Sequence, residues 1–149
     1  MSKKILGFDI SKEKTGVAFY KDELDPESLE VIKFENSIDW SVEVFRIIGK
    51  WNPDVIVFSE TVNRMCGHST KRIMFGLMYH LEHIAYVLGV PVVVINDSQA
   101  KGFLGIKFRK TVDIKRETMI WAKNETGIDM TEDQADALSF CYYLNKIIQ

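Results

Sequence analysis

The sequence predicts an α/β fold in which a mixed five-stranded sheet carries helices on both faces. Short apolar runs of strand length are followed by longer segments in which apolar residues recur at helical spacing. The order of the predicted elements is β-β-β-α-β-α-β-α-α, which starts as an antiparallel meander and continues with alternating strands and helices. With 149 residues, 46% of them hydrophobic, the chain is expected to form one domain over residues 1–149.

Residues 4–20 predict a β-hairpin. The apolar run 5–8 ends at Asp9, and a polar turn over 11–14 separates it from a second apolar run at 17–20. A carboxylate at the end of a buried strand is costly unless a cation meets it. Two interpretations of Asp9 follow: its side chain caps the turn, as Asx residues often do, or it belongs to a metal or phosphate site.

The next segments extend this sheet. Residues 29–34 predict a third strand, and 38–51 predict a helix that ends before Pro53. The continuous apolar run 54–59 is typical of a central strand buried on both faces. It leads into Glu60, which is the second acid at the end of a predicted core strand.

Residues 71–88 predict a long helix with two apolar lines. One line holds Met74, Met78, Leu81, Ala85 and Leu88, and the other holds Ile73, Leu77 and Ile84. Because one line suffices to cover a sheet, we expect the second to be covered by a partner chain. The residues predicted for this homodimer contact are Met74, Met78 and Leu81, since flexible methionines suit an adaptable contact. The alternative is that both lines are buried within the monomer.

A strand over 92–95 and a short polar or helical connection over 96–102 lead to a basic stretch. Residues 101–116 contain six basic side chains and only one acid, Asp113, although the whole chain has a net charge of −2. On charge alone this stretch is interpreted as a solvated face, with phosphate binding as the alternative. Residues 111–124 predict a further helix.

The last helix is predicted to begin after Thr131, which forms a capping box with Gln134. At about 100° per residue its apolar face has Asp133 in the middle and Asp136 at the edge. Acids in a first helical turn usually complement the helix dipole, and this explanation is accepted for Glu132. Asp133 and Asp136 form an i, i+3 pair that faces the sheet, where dipole complementation explains them less well.

Four acids are therefore predicted to meet at one edge of the sheet, namely Asp9, Glu60, Asp133 and Asp136. Unpaired carboxylates held together repel one another and raise each other's pKa. Two divalent ions relieve this repulsion, and oxygen ligands suit Mg²⁺ or Mn²⁺. Two such ions about 4 Å apart stabilise the attacking and leaving oxygens of a phosphoryl displacement. A phosphodiester substrate also accounts for a basic stretch in an acidic protein.

With these motifs the chain resembles the RuvC-type Holliday junction resolvases of the ribonuclease H-like nuclease superfamily. The resemblance rests on ILGFDISKEKTG with Asp9, VIVFSE with Glu60 and DQADAL with Asp133 and Asp136, and it covers nearly the whole chain in motif order. It implies a ribonuclease H-like fold and a homodimer that binds a four-way DNA junction and nicks two opposing strands, leaving 5′-phosphate ends. The short length resembles phage-encoded members.

The resemblance also implies that lysines near Lys101 and Lys110 contact the scissile region. The residues predicted to bind DNA are Lys101, Lys107, Arg109, Lys110 and Arg64. Two features depart from the family's pattern. The usual D-P-G is Asp9-Ile10-Ser11 here, so the turn must be built differently. Members often have an aromatic residue three positions after the glutamate, where this chain has Asn63. This difference puts stacking at the junction centre in doubt.

Other functions use some of the same features. A ribonuclease H-fold nuclease acting on structured RNA or simple branched DNA would need the same four acids. A noncatalytic junction-binding protein would not need them, because uncompensated acids hinder phosphate binding. A two-lobed sugar kinase needs far more residues, so no nucleotide cofactor is expected. No run reaches the roughly 20 apolar residues that span a bilayer. The predicted location is the cytoplasm, or the host cytoplasm for a phage-encoded protein.

Overall fold

The computed structural model describes residues 2–60, 66–107 and 111–149, and these form a mixed sheet with helices on both faces. The strands are β1 Ile5–Ile10, β2 Lys14–Lys21, β3 Glu23–Leu24, β4 Glu30–Lys33, β5 Val55–Ser59 and β6 Val92–Ile95. The helices are α1 Ser37–Trp51, α2 His68–Val87, α3 Asp97–Phe103, α4 Thr111–Thr126 and α5 Glu132–Ile147. The predicted α/β architecture is confirmed.

The sheet has the strand order β3-β2-β1-β5-β6, and β4 also pairs with β2. β1 is antiparallel to β2 and parallel to β5, which is in turn parallel to β6. Five of these strands are the predicted ones, and the two-residue β3 is an addition. Because β1, β5 and β6 run in the same direction, their carboxyl ends lie at one edge of the sheet.

The turn between β1 and β2 is closed by Ser11. Its backbone N–H and its hydroxyl both donate to the carbonyl oxygen of Lys14, at 3.1 and 2.6 Å. This is how the turn forms with the sequence Asp9-Ile10-Ser11. The turn therefore does not use Asp9 as a cap. The Asp9 carboxyl group lies beside those of α5, which favours the interpretation of Asp9 as a site residue.

Side chains alternate between two cores along β1. Leu6, Phe8 and Ile10 pack with α1 and α2, whereas Ile5 packs with α5 on the other face. Gly7 and Gly16 also face α5, and they allow a very close approach. A Cβ atom would lie 2.5 Å from the Ala137 carbonyl oxygen at Gly7, and 2.3 Å from the Asp133 backbone at Gly16. The first turns of α5 therefore lie directly on the hairpin.

The predicted capping box determines where α5 begins. The backbone N–H of Gln134 donates to Thr131 Oγ1 at 3.3 Å, and the backbone N–H of Thr131 donates to Gln134 Oε1 at 2.9 Å. Both bonds satisfy donors that the first helical turn leaves without intrahelical partners. With its start determined in this way, α5 presents Asp133 and Asp136 towards the sheet.

The predicted dimer contact on α2 is wrong in this structure. Met78 and Leu81 are 4% and 0% exposed, within the core that α2 forms with the sheet and α1, and Met74 is partly buried against the same core. The central residues of both apolar lines form one wide buried face because α2 contacts α1 as well as the sheet, whereas Ile73 and Leu88 near the two ends are exposed. The apolar side chains that α2 exposes include Phe75, Tyr79 and Tyr86.

Helix α1 packs on the core through one face. Its buried residues are Trp40, Val44, Ile47 and Ile48, while Ile38, Val42 and Phe45 are exposed. Within the described residues, no helix combines the length and the apolar character needed to cross a bilayer.

Candidate functional site

Three of the four predicted acids meet at the carboxyl end of β1. Asp9, Asp133 and Asp136 line a cavity of about 330 Å³, together with Ser11 from the turn. Cys66, Met74, Lys115 and Glu132 contribute to the same wall. The side chains come from the hairpin, from α5 and from the start of α2 and α4, so the cavity lies where both layers of helices reach the edge of the sheet.

The positions of the three aspartates follow from the hairpin and α5. Asp9 pairs with Gly16 in the antiparallel register, and Gly16 is the residue on which the Asp133 backbone rests. Asp133 is therefore held next to Asp9, and Asp136 follows one helical turn later. Asp133 is 7% exposed, and Asp9 and Asp136 are half-buried.

This grouping makes ionisation costly. Burial raises the pKa of Asp9 well above its usual range, and the neighbouring Asp136 and Asp133 raise it further. Contact with the Asp133 carboxyl group acts on the Asp9 pKa in the same direction. Burial raises the pKa of Asp136 to about 6, although the ammonium group of Lys101 opposes this shift. Such perturbed acids are common at functional sites.

Two lysines partly compensate the negative charge. Lys14 Nζ lies 3.0 Å from Asp133 Oδ2, and Lys101 Nζ lies 2.8 Å from Asp136 Oδ1. Lys101 Nζ also contacts Asp97 Oδ1. Burial by itself would lower the pKa of Lys101, but Asp136 and Asp97 raise it above its ordinary value. Lys101 is therefore a buried cation between two carboxylates.

Glu60 lies directly after β5 and so at the same edge of the sheet as Asp9. In contrast to the aspartates, it is exposed, and it is not among the described residues that line the cavity. The chain after it, residues 61–65, lies outside the described residues. The predicted four-acid set is thus represented by three grouped aspartates and one exposed glutamate at the neighbouring strand end.

The residues predicted to bind DNA differ in their exposure, and three of them lie outside the described residues. Lys101 is 1% exposed, so the accessible position that a phosphate contact requires is not observed. Its helix α3 directs it inward, where it neutralises Asp97 and Asp136. Lys107 is exposed. Arg64, Arg109 and Lys110, as well as Asn63, lie outside the described residues.

The carboxylate oxygens of the site suit a hard divalent cation in their chemistry, although among the described residues no three His, Cys, Asp or Glu side chains are spaced so that they could hold one ion. Asp133 Oδ2 and Asp136 Oδ1 are buried, and the contacts that the described residues offer them are ion pairs with Lys14 and Lys101. Carboxylate oxygens with unused lone pairs are the ligands that Mg²⁺ and Mn²⁺ prefer.

Two basic residues of the site were missed by sequence reasoning. Lys14 is two residues before Gly16 on β2, so strand alternation places it on the same face of the hairpin as the residue paired with Asp9. That register would have identified Lys14. Lys115 lies in the cavity wall with its Nζ 3.3 Å from Glu132 Oε1, and the sequence pattern offers no signal that separates it from its basic neighbours.

The fold is similar to those of solved Holliday junction resolvases. Thermus thermophilus RuvC in complex with a Holliday junction substrate has a TM-score of 0.77 and 17% identity, over 94% of this chain and 91% of that one. Fowlpox virus resolvase in complex with its substrate Holliday junction DNA has a TM-score of 0.67 and 16% identity, over 98% of this chain and 99% of that one. The yeast mitochondrial Holliday junction resolvase Ydc2 has a TM-score of 0.63 and 14% identity, over 93% of this chain and 76% of that one. No family model and no curated protein matches the chain.

Proposed function

We propose that this chain is a metal-dependent, structure-selective endodeoxyribonuclease that resolves four-way DNA junctions by paired nicking. The observation that carries the proposal is the convergence of Asp9, Asp133 and Asp136 in one cavity at the carboxyl end of β1. The cost of holding these carboxylates together is accounted for by a cation that binds between them. The similarity to solved resolvases supports a junction as the substrate.

Asp9, Asp133 and Asp136 would hold the metal ions, and Glu60 would join them at the same edge of the sheet. When bound, two Mg²⁺ or Mn²⁺ ions supply charge stabilisation for the attacking and leaving oxygens of a phosphodiester. The protein side chains orient these ligands. Lys14 contacts Asp133, and Lys101 contacts Asp136, so each lysine holds one carboxylate in position before a metal ion arrives.

Basic side chains would contact the DNA backbone. Of the residues predicted to bind DNA, Lys107 is described and exposed, and Arg64, Arg109 and Lys110 are proposed from the sequence. Lys115, at the cavity wall with its side chain 62% exposed, is a further cation near the site where a phosphate would enter. Such contacts position a duplex without reading its sequence. DNA in the cytoplasm is the expected setting.

Paired nicking requires two active sites in a fixed relation, which a symmetric homodimer supplies. The α1–α2 face of the sheet is the proposed contact. There α2 exposes Tyr79 and Tyr86, and α1 exposes Ile38 and Val42, at 70%, 82%, 73% and 61% of their surfaces. The two helices contact each other through Ser41 Oγ and His80 Nε2 at 3.3 Å, so both apolar sets belong to one layer.

The test is a cleavage and binding assay of amide variants. Asp9→Asn, Asp133→Asn and Asp136→Asn should each reduce the rate of junction cleavage by at least about a thousandfold, because losing a metal ligand removes several kcal/mol of transition-state stabilisation. Junction affinity should stay within about threefold, because phosphate contacts dominate binding. Rates are measured in single turnover with Mg²⁺, and affinity is measured with Ca²⁺.

Four-way, three-way, flap and linear DNA, and a structured RNA, are compared in the same assay. Preferred cleavage of four-way DNA supports the proposal. Preferred cleavage of the RNA or of simple branched DNA would favour the broader ribonuclease H-fold nuclease. Junction binding without cleavage in either metal would identify a noncatalytic junction-binding protein. Asp129→Asn, which alters only an exposed ion pair with Lys123, is the matched control.

A further inference from the structure

We propose that Asp97 is a positioning residue that acts through Lys101 to control how readily Asp136 accepts a divalent metal ion. The inference rests on the proposed metal dependence of the site and assigns a role to a residue outside the predicted acid set. Asp97 and Lys101 are four residues apart on α3, so the helix itself brings their side chains together.

The contacts of Lys101 define its possible positions. Its ammonium group contacts Asp97 Oδ1 on one side and lies 2.8 Å from Asp136 Oδ1 on the other. The ring of Phe140 lies 5.7 Å from Nζ, and the side chain is 2% exposed. A buried ammonium needs compensating acceptors, and here two carboxylates from different helices share one cation.

This sharing has a consequence for metal binding. A metal ion that takes Asp136 must compete with Lys101 for the same carboxylate. Asp97 offers the lysine a second anionic partner on its own helix, so Lys101 can release Asp136 without being left as an unpaired buried charge. Without the charge on Asp97, Lys101 would depend on Asp136 alone and would hold it more tightly against the metal.

A direct electrostatic effect of Asp97 on the metal predicts a similar loss of affinity, and a double-mutant cycle separates the two. If Asp97 acts through Lys101, its charge matters only while the lysine is present. If it acts on the metal ion directly through space, removing its charge weakens metal binding by the same factor in both backgrounds. The variants are therefore Asp97→Asn, Lys101→Met and the two combined.

The measurement is Mn²⁺ affinity of the DNA-free protein, followed by electron paramagnetic resonance of the unbound ion. Asp97→Asn should weaken Mn²⁺ binding by about tenfold, and Lys101→Met should strengthen it by about tenfold, within the range of couplings between contacting residues. In the Lys101→Met background, Asp97→Asn should change affinity by less than about twofold. Asp97→Glu, which keeps the charge, should bind Mn²⁺ like the unmodified protein.

Asp129→Asn is the matched control, because it removes one carboxylate from an ion pair with Lys123 away from α3. Circular dichroism and thermal unfolding establish that each variant is folded, and Lys101→Gln replaces Lys101→Met if the latter is not. Equal losses from Asp97→Asn in both backgrounds, or no loss in either, would overturn the inference. Mn²⁺ binding that Asp133→Asn leaves unchanged would instead overturn the proposed metal centre itself.

Discussion

Single residues show that this site is costly to the folded protein. Asp136 is held in a place where burial disfavours its charged form, and Lys101 offsets only part of that cost. The folded state therefore binds a proton at Asp136 more tightly than the unfolded chain does. Functional sites commonly carry such a stability cost, because the arrangement suits the bound state rather than the free protein.

The cost of Asp136 should be measurable as a dependence of stability on pH. The pKa is about 6 in the folded protein against 3.8 ordinarily, so its contribution is favourable while the group is protonated, below about pH 4. This stability is lost as pH rises to about 6, and the full cost is present at pH 7. Asp136→Asn should therefore unfold on the order of 4 °C higher than the unmodified protein at pH 7 in EDTA.

The gain in melting temperature should shrink as the pH is lowered to 4, because Asp136 of the unmodified protein is then largely protonated and, like the asparagine, uncharged. Thermal unfolding monitored by circular dichroism at pH 4, 5, 6 and 7 measures it, with Asp129→Asn as the control for general charge removal. A melting temperature that Asp136→Asn lowers at pH 7 would mean that the ion pair with Lys101 outweighs the burial of Asp136.

Among the elements, the close approach of α5 to the hairpin positions the acids. Gly7 and Gly16 have no Cβ atom, and the α5 backbone occupies that space. Hydrophobic burial on α5 then supports the arrangement, since Leu138, Phe140 and Leu144 are buried in the core beneath it. The distance between Asp9 and Asp133 thus depends on a glycine that carries no chemical function.

Gly16→Ala should separate the acids. The new methyl group would lie 2.3 Å from the Asp133 backbone, so α5 must shift, at a cost of about 1–3 kcal/mol in unfolding free energy. Junction cleavage should fall at least about tenfold under conditions where the variant is fully folded, because misplacement by about 1 Å can cost a hundredfold. Urea unfolding and single-turnover cleavage measure the two effects.

Gly49→Ala is the control for this substitution. Gly49 lies on α1, and a Cβ atom there would have nothing within 4 Å. Alanine should therefore stabilise the helix by up to about 1 kcal/mol and leave cleavage unchanged. Full cleavage by Gly16→Ala would show that α5 can move without separating the acids.

At the scale of the whole molecule, the two faces of the sheet are covered differently. On the α5 face, α3, α4 and α5 enclose the acids, and on the other face α1 and α2 carry the most exposed large apolar side chains of the described residues. A second copy of the chain would cover them. The proposed contact therefore uses Tyr79 and Tyr86 in place of the buried Met78 and Leu81.

The double variant Tyr79→Glu/Tyr86→Glu should sediment as a monomer and remain folded, because both side chains are exposed and their charges would repel across a two-fold contact. Cleavage of the two opposing strands should become uncoupled. Analytical ultracentrifugation at micromolar concentration and strand-specific labelling of the junction measure these outcomes. Leu81→Glu should instead unfold the protein, since Leu81 is fully buried. An unmodified chain that sediments as a monomer would contradict the contact.

The sequence by itself determined five of the six described strands, the four longer helices, the start of α5, and the placement of acids at the ends of β1 and β5. These are local properties: apolar period, turn chemistry and capping are contained in a few neighbouring residues. The approach of Asp133 to Asp9 was also predictable, because the inward face of α5 follows from its period and its capping box.

Only the tertiary structure decided which faces of α1 and α2 are buried and what neutralises the acids. A helical period shows which residues share a face, but the neighbouring elements determine how wide a face is covered. Met78 and Leu81 are buried because α2 contacts α1 and the sheet together. Lys101 pairs with Asp136 because α3 and α5 pack on the same side of β1, a relation between residues 35 positions apart that no local pattern encodes.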